Sequence, residues 1–274
     1  MLKQNLQKRI WLFSGASSGL GREWALAALQ QGDTVIGITR QSSSVSDIEH
    51  AFPGQFFSLE QDIQNYPLLK QSVNSLLSKY NLPYISHVVC AAAFAHFGTI
   101  EDVSSEDLEK SFRVNVIGAR NVAIAGLHNM PPSGDRRIVF VSSMSGLHCW
   151  PNLGTYQITK YALRALSETL RIELSEHGIQ VGCLYPGPHI GTGWATHYAE
   201  HTSASSRYNQ LWLQENSRCG FELYDVEASL PLFEKMVNTH PMPRAGTGHS
   251  EVIELFEADS HELLQDLFQF GDKK

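Results

Sequence analysis

Ile10-Trp11-Leu12-Phe13-Ser14-Gly15-Ala16-Ser17-Ser18-Gly19-Leu20-Gly21 joins an apolar run to a glycine-rich turn near the start of the chain. Four apolar residues run into a turn of small ones, and Leu20, Trp24 and Ala28 then recur at helical spacing as far as Gly32. An unbroken apolar run predicts a buried strand. The switch to a period near 3.6 predicts a helix that Gly32 closes. The turn between them carries its glycines as GxxxGxG. Glycine there lets backbone N–H groups at a helix start approach a pyrophosphate closely, where a Cβ would intrude. A plain strand-to-helix turn is the alternative, and the position directly after the first strand favours the phosphate cradle.

The alternation continues outward. Further strands are predicted at residues 34–39, 56–59, 87–91, 138–141 and 179–184. Leu69, Val73, Leu76, Leu77 and Tyr80 line one helix face between them. Leu108, Phe112, Val116, Ala119 and Ala123 line a second, and Leu163, Leu166, Leu170 and Leu174 a third, closed by Gly178. Strands alternating with long helices imply right-handed crossovers and a parallel sheet covered on both faces. The expected fold is α/β, a doubly wound Rossmann-type sheet. No repeat and no Pro/Gly/Ser-rich linker divides the chain, so residues 1–274 are expected to form a single domain. The rhythm breaks after Pro186. Residues 187–224 form a long excursion containing Trp194, Tyr198, Tyr208 and Trp212, and loops this long are usually functional. Residues 225–237 are expected to be helical with Pro231 at a boundary or kink. A short or irregular edge strand is expected near residues 243–248, where propensity is poor. Residues 252–270 supply one or two closing helices.

The 274 residues are 42% hydrophobic and carry a net charge of -7, which supports a sizeable core and argues against a nucleic-acid partner. Cys90, Cys149, Cys183 and Cys219 form no CxxC, which suits reduced, mostly buried thiols in a reducing compartment. Residues 1–9 are polar, unlike a signal peptide, and no apolar run approaches the ~20 residues of a membrane helix. A cytoplasmic location is therefore expected. The 12 histidines form no HxH or HExxH, so no metal site is expected.

Tyr156 and Lys160 are four apart, on one face of the third helix. A phenol ordinarily ionises near pH ~10, and a neighbouring ammonium lowers that value, so the pair makes a usable general acid/base. Taken alone, YxxxK arises by chance in many helices. Ser143 closes the fifth strand at the carboxyl edge of the sheet, where ligands of open α/β folds bind. Its hydroxyl can hold a substrate oxygen in line with the Tyr156 phenol. Asn115 lies mid-helix, a poor place for asparagine. An interhelix polar contact and a proton-relay role are both open there, and the context favours the relay. The second strand ends at Thr39-Arg40, where NAD sites usually place a carboxylate for the ribose 2′-OH. Arginine suits a 2′-phosphate, which favours NADP(H) over NAD(H); a solvated loop charge is the alternative. Asp62 can accept from an adenine amine or cap the following helix. Phe94, His96, His148, Cys149 and Trp150 come from loops at the same edge, with Trp194 and Tyr198 as a potential lid. They hint at a moderately apolar or aromatic substrate, with ordinary packing as the alternative.

Together these residues resemble the short-chain dehydrogenase/reductase family, from about Ile10 to Gly187. The likeness rests on the SGASSGLG turn, Asp62-Ile63, Val114-Asn115-Val116 with Gly118, Val141-Ser142-Ser143 with Gly146, Tyr156 through Lys160, and Pro186-Gly187. The resemblance implies a catalytic set of Ser143, Tyr156, Lys160 and Asn115. It implies cofactor contacts from Gly15, Ser17, Ser18, Gly19, Leu20, Gly21, Arg40, Asp62, Ile63, Ala91, Ala92, Lys160, Pro186, Gly187 and Thr192. Tyr156 is then the proton donor to a carbonyl that receives a hydride, Ser143 orients the substrate, and Lys160 lowers the tyrosine pKa and holds the nicotinamide ribose. Asn115 matches the relay asparagine. Three departures stand out. The family's usual NNAG is Cys90-Ala91-Ala92-Ala93 here, which removes amide ties and lets Ala93 crowd the cofactor. The threonine after Pro186-Gly187 is displaced by one, to Thr192. The last strand lacks strand-forming residues.

The resemblance thus implies an NADP(H)-dependent oxidoreductase acting on a carbonyl or secondary alcohol, in the hydroxysteroid- and retinol-dehydrogenase-like branch. A small-molecule substrate and a homodimer or homotetramer built on the long helices are expected. A catalytically silent dinucleotide-sensing regulator is the alternative, favoured by the altered stretch at residues 90–93. Epimerisation or dehydration on a bound nucleotide is disfavoured, because no second substrate domain is present.

Overall fold

The computed structural model describes residues 8–192, 223–248 and 250–271. Seven parallel strands form one sheet in the order β3-β2-β1-β4-β5-β6-β7. They are β1 (Ile10–Ser14), β2 (Thr34–Thr39), β3 (Phe56–Glu60), β4 (His87–Cys90), β5 (Arg137–Val141), β6 (Gln180–Leu184) and β7 (Ala245–Gly246). The helices are α1 (Gly19–Gln30), α2 (Ser46–Ala51), α3 (Tyr66–Lys79), α4 (Ser105–Phe112), α5 (Ala119–Leu127), α6 (Gly154–Leu174), α7 (Leu230–Asn238) and α8 (Ser250–Gly271). The doubly wound α/β expectation holds. Pro231 falls in the first turn of α7, where its missing N–H costs nothing, and residues 250–271 form a single closing helix.

Successive strand residues face opposite ways, so the sheet feeds two cores. Leu12, Ile36, Val88, Ile138 and Phe140 pack with α3, α5 and α6. Trp11, Phe13, Val35, Val89 and Val139 pack on the other face, where Trp24 of α1 stacks on Phe233 of α7 with ring centroids 4.9 Å apart. The strands are apolar throughout because both faces are covered. Strand order reverses between β2-β1 and β1-β4, which opens a crevice at the carboxyl ends of β1 and β4. No helix among the described residues is long and apolar enough to cross a membrane, and no group of three or more His/Cys/Asp/Glu gathers there as for a metal. Cys90 and Cys183 are buried and Cys149 is exposed, all as free thiols; Cys219 lies outside the described residues.

Arg137 opens β5 and is 1% exposed, at the amino edge of the sheet. Its Nε donates to Asp135 at 2.7 Å, and its Nη1 donates to the Thr239 carbonyl at 2.9 Å. Asp135 also faces the buried His87 ring at 3.6 Å, and these partners hold its carboxyl well below the usual carboxylate range against the opposing effect of burial. Removing one partner of such a pair leaves an uncompensated buried charge. Asp135→Ala should therefore lose about 2–3 kcal/mol in urea denaturation, the carboxylate's partial exposure trimming the ~3–5 kcal/mol of a fully buried pair. A loss under about 0.5 kcal/mol would show that water reaches Arg137 freely.

Candidate active site

A cleft of about 440 Å³ opens at the sheet's carboxyl edge, a volume in the range of small-molecule sites. Its floor is the glycine turn. Gly15 has φ +78°, a left-handed conformation, and a Cβ there would meet Ala92 N at 2.9 Å. A Cβ on Gly21 would lie 2.5 Å from the Gly15 carbonyl oxygen. Ser18 is extended and Gly19 begins α1, so the open N–H groups of that helix face the cleft. A cradle that side chains would fill, at a helix N-terminus, fits a dinucleotide pyrophosphate.

The loop after β4 forms the next wall. Ser14 Oγ accepts from Ala92 N at 3.2 Å, and Cys90 Sγ lies 3.3 Å from the Ala119 carbonyl. Asn115 sits in a π-turn, Arg113–Gly118, that widens the helix between α4 and α5; such turns concentrate at functional sites. Its amide accepts from Phe94 N at 2.7 Å, donates to Phe94 O at 2.8 Å and donates to Thr159 Oγ1 at 2.9 Å. The side chain is thus committed to holding the loop. These three bonds explain the mid-helix position of the asparagine.

Ser143 follows β5 and starts a short 3-10 turn, its Oγ accepting from Ser145 N at 3.2 Å. A Cβ on Gly146 would lie 2.9 Å from the Lys160 carbonyl, so glycine lets this turn press directly on α6. Tyr156 and Lys160 both point from α6 into the cleft lining, and both are buried. Tyr156 packs with Ala95, Phe97 and Leu153, beside the Ser143 hydroxyl. Lys160 Nζ donates to the Val141 carbonyl at 2.9 Å and lies 5.3 Å from the Tyr156 ring centroid.

Burial pushes the Tyr156 phenol up to about 12, opposed by the Ser143 hydroxyl. Burial also pulls Lys160 down to about 8. Desolvation is the largest cause of both shifts.

A family profile described as short chain dehydrogenase matches residues 9–202. The chain belongs to the short-chain dehydrogenase/reductase family. It is similar to the uncharacterized oxidoreductase YbbO of Escherichia coli (strain K12), 33% identical over 188 residues. That match covers 67% of this chain and 66%, just under two thirds, of the relative. It is also similar to the NADPH-dependent 3-dehydrocapnine reductase of Ornithobacterium rhinotracheale, 28% identical over 66% of this chain and 65% of that one. Among solved structures it is similar to a short-chain dehydrogenase from Streptomyces avermitilis, with TM-score 0.84, 23% identity and 97% of each chain covered. A short chain dehydrogenase/reductase from Burkholderia phymatum in complex with NAD aligns with TM-score 0.77 and 20% identity over 94% of this chain and 95% of that one.

Within this short-chain dehydrogenase, all of the expected cofactor residues line one cleft: Gly15, Ser17, Ser18, Gly19, Leu20, Gly21, Arg40, Asp62, Ile63, Ala91, Ala92, Lys160, Pro186, Gly187 and Thr192. Arg40 is exposed at the rim and makes no ion pair among the described residues. Asp62 does not cap α3; Asn65 does, accepting from Leu68 N, while Asp62 accepts from Gln64 N at 2.9 Å. Ile63 packs where a Cβ on Gly118 would collide, at 2.6 Å. Ala93 lines the cleft without plugging it. Thr192 lies across the opening, its Cγ2 3.2 Å from the Cβ position of Gly19, and its Oγ1 donates to His189 O at 2.7 Å.

Of the expected substrate residues among the described ones, only Phe94 lines the cleft. His148 turns away to bind Asp259 of α8 and packs edge-on against Trp150 at 4.4 Å. Trp150 N donates to Gln157 Oε1, and His96 faces Asp107 at 3.7 Å. Trp194 lies outside the described residues. Sequence reasoning missed Thr159 and Ser14, which brace the loop after β4, and Lys110, Met144 and His189, which line the cleft. Hydroxyls beside the recognised motif, in Ile158-Thr159-Lys160, are the one signal that could have flagged Thr159.

Proposed function

We propose that the protein is an NADP(H)-dependent oxidoreductase that reduces a carbonyl to an alcohol, with residues 1–274 acting as one domain. The observation that carries this reading is the grouping of Ser143, Tyr156 and Lys160 at one end of a glycine-floored cleft. A bound nicotinamide dinucleotide supplies or accepts the hydride. Tyr156 gives its proton to the carbonyl oxygen, and the Ser143 hydroxyl donates to the same oxygen as negative charge develops. Burial keeps the phenol protonated at neutral pH, so the resting site holds an acid ready for a carbonyl oxygen. Lys160, pulled down to about 8, can return a proton near neutral pH. Asn115 and Thr159 hold the loop that walls the pocket.

Arg40, exposed at the rim where a carboxylate would suit NAD, supports NADP(H), as does the NADPH dependence of the Ornithobacterium relative. Fluorescence titration with NADPH and NADH tests this. Wild type should prefer NADPH, and Arg40→Asp should weaken NADPH binding by about thirtyfold, the worth of a charge-assisted phosphate contact near ~2 kcal/mol. A wild-type preference for NADH reverses the cofactor assignment. Turnover is then followed at the nicotinamide absorbance with aldehydes, ketones and quinones. The silent-regulator reading is favoured by Ala91-Ala92-Ala93, and tight NADPH binding without turnover of any carbonyl would support it over catalysis.

A further inference from the structure

Lys110 is a cation on the cleft wall outside the residues assigned above to the cofactor and to proton transfer. It stands in the last turn of α4, and its ammonium lies 4.3 Å from the centroid of the Phe94 ring. Both residues line the cleft. Among the described residues no carboxylate lies within ion-pair distance of Lys110; Glu109 is taken by Arg113, and Asp107 by Ser104 and His96. An exposed lysine normally samples many rotamers, but the negative face of an aromatic ring attracts its ammonium. The backbone that carries the ring is held, because the Asn115 amide binds both the N–H and the carbonyl of Phe94. The next residue, Ala95, packs against Tyr156. One continuous wall therefore leads from the ammonium, over an aromatic face, to the phenol.

The geometry points to a carbonyl substrate that carries a carboxylate, with Lys110 as the specificity-determining residue and Phe94 as its platform. A carbonyl oxygen at Tyr156 leaves the far end of a flat or apolar body against Phe94, and its anionic group beside Lys110. Asp62, an acid in the same lining, accepts from Gln64 and makes no ion pair with Lys110. This inference rests on the proposed role of Tyr156 as proton donor.

4-Carboxybenzaldehyde and its methyl ester share ring and aldehyde and differ in charge, so their kcat/KM ratio with NADPH is the test. Wild type should favour the acid by about tenfold through KM, a preference that shrinks as ionic strength rises from about 20 to about 500 mM. Lys110→Arg should keep the preference, Lys110→Ala erase it and Lys110→Glu invert it. An acid-to-ester ratio equal in wild type and Lys110→Ala overturns the proposal. So does a Lys110→Ala defect that appears as weaker NADPH binding, which assigns the cation to the cofactor. A second arm needs no turnover: calorimetry of 4-carboxybenzaldehyde binding to the NADP⁺-loaded protein should weaken by about tenfold in Lys110→Ala. Unchanged binding there also overturns the proposal, whereas failure to reduce any carbonyl counts against the catalytic reading instead.

Discussion

Tyr156→Phe should lower kcat for carbonyl reduction by about three orders of magnitude, while NADPH affinity and thermal stability stay near wild type. The ring remains and keeps its packing on Ala95, Phe97 and Leu153, so the core loses one hydroxyl and no volume. What disappears is the acid, worth about 10²–10⁴ in rate for a positioned proton donor. The hydroxyl's partner, Ser143, keeps its bond from Ser145 N. Steady-state kinetics alongside fluorescence titration separates the effects: an interaction made only in the transition state lowers kcat and kcat/KM together. A variant as active as wild type would remove Tyr156 from the chemistry.

Lys160→Met should abolish activity to a similar degree and yet fold at least as stably near neutral pH. Lys160 is 3% exposed, and burial brings it from 10.5 down to about 8. The folded protein therefore disfavours the charged form by about 3 kcal/mol at pH 7. Methionine removes that cost but leaves the Val141 carbonyl without its partner, which costs about 1–3 kcal/mol, so the two nearly cancel. The sign of the pH dependence follows from the depressed value. Between about 8 and 10.5 the unfolded chain binds the extra proton, so wild-type stability rises with pH across that window. Urea denaturation should show wild type gaining about 2 kcal/mol relative to Lys160→Met between about pH 7 and about pH 9.5. Tyr156 works in the opposite sense and only above about pH 10. Parallel stability curves for the two proteins would mean that water reaches the ammonium.

The sheet was legible because burial on both faces leaves nothing but apolar runs, so β1 to β6 stand at their expected positions within about two residues. β7 is a different case. Ala245 and Gly246 have no strand propensity of their own, and pairing with β6 supplies it: Tyr185 N donates to Gly246 O at 2.8 Å. The serine-rich stretch before α2 has the composition of a loop, and only tertiary burial of Val45 and Ile48 makes it helical. At the site, spacing placed the glycine turn, Ser143, Tyr156 and Lys160 in one cleft. It did not reveal direction or solvation. His148 was expected to face the cleft, but its partner Asp259 lies 111 residues further on, beyond any local pattern. Spacing of i,i+4 gives proximity, whereas the carbonyl of Val141 decides where the Lys160 ammonium points.

Hydride delivery itself is the most direct check on the central claim. The protein is incubated with NADPH carrying deuterium at C4 of the nicotinamide and with a panel of aldehydes and ketones, and the alcohols are weighed by mass spectrometry. One deuterium is expected on the carbinol carbon of at least one product with wild type, and almost none with Tyr156→Phe. Tight NADPH binding with no deuterated alcohol from any carbonyl, or equal labelling by both proteins, would contradict it.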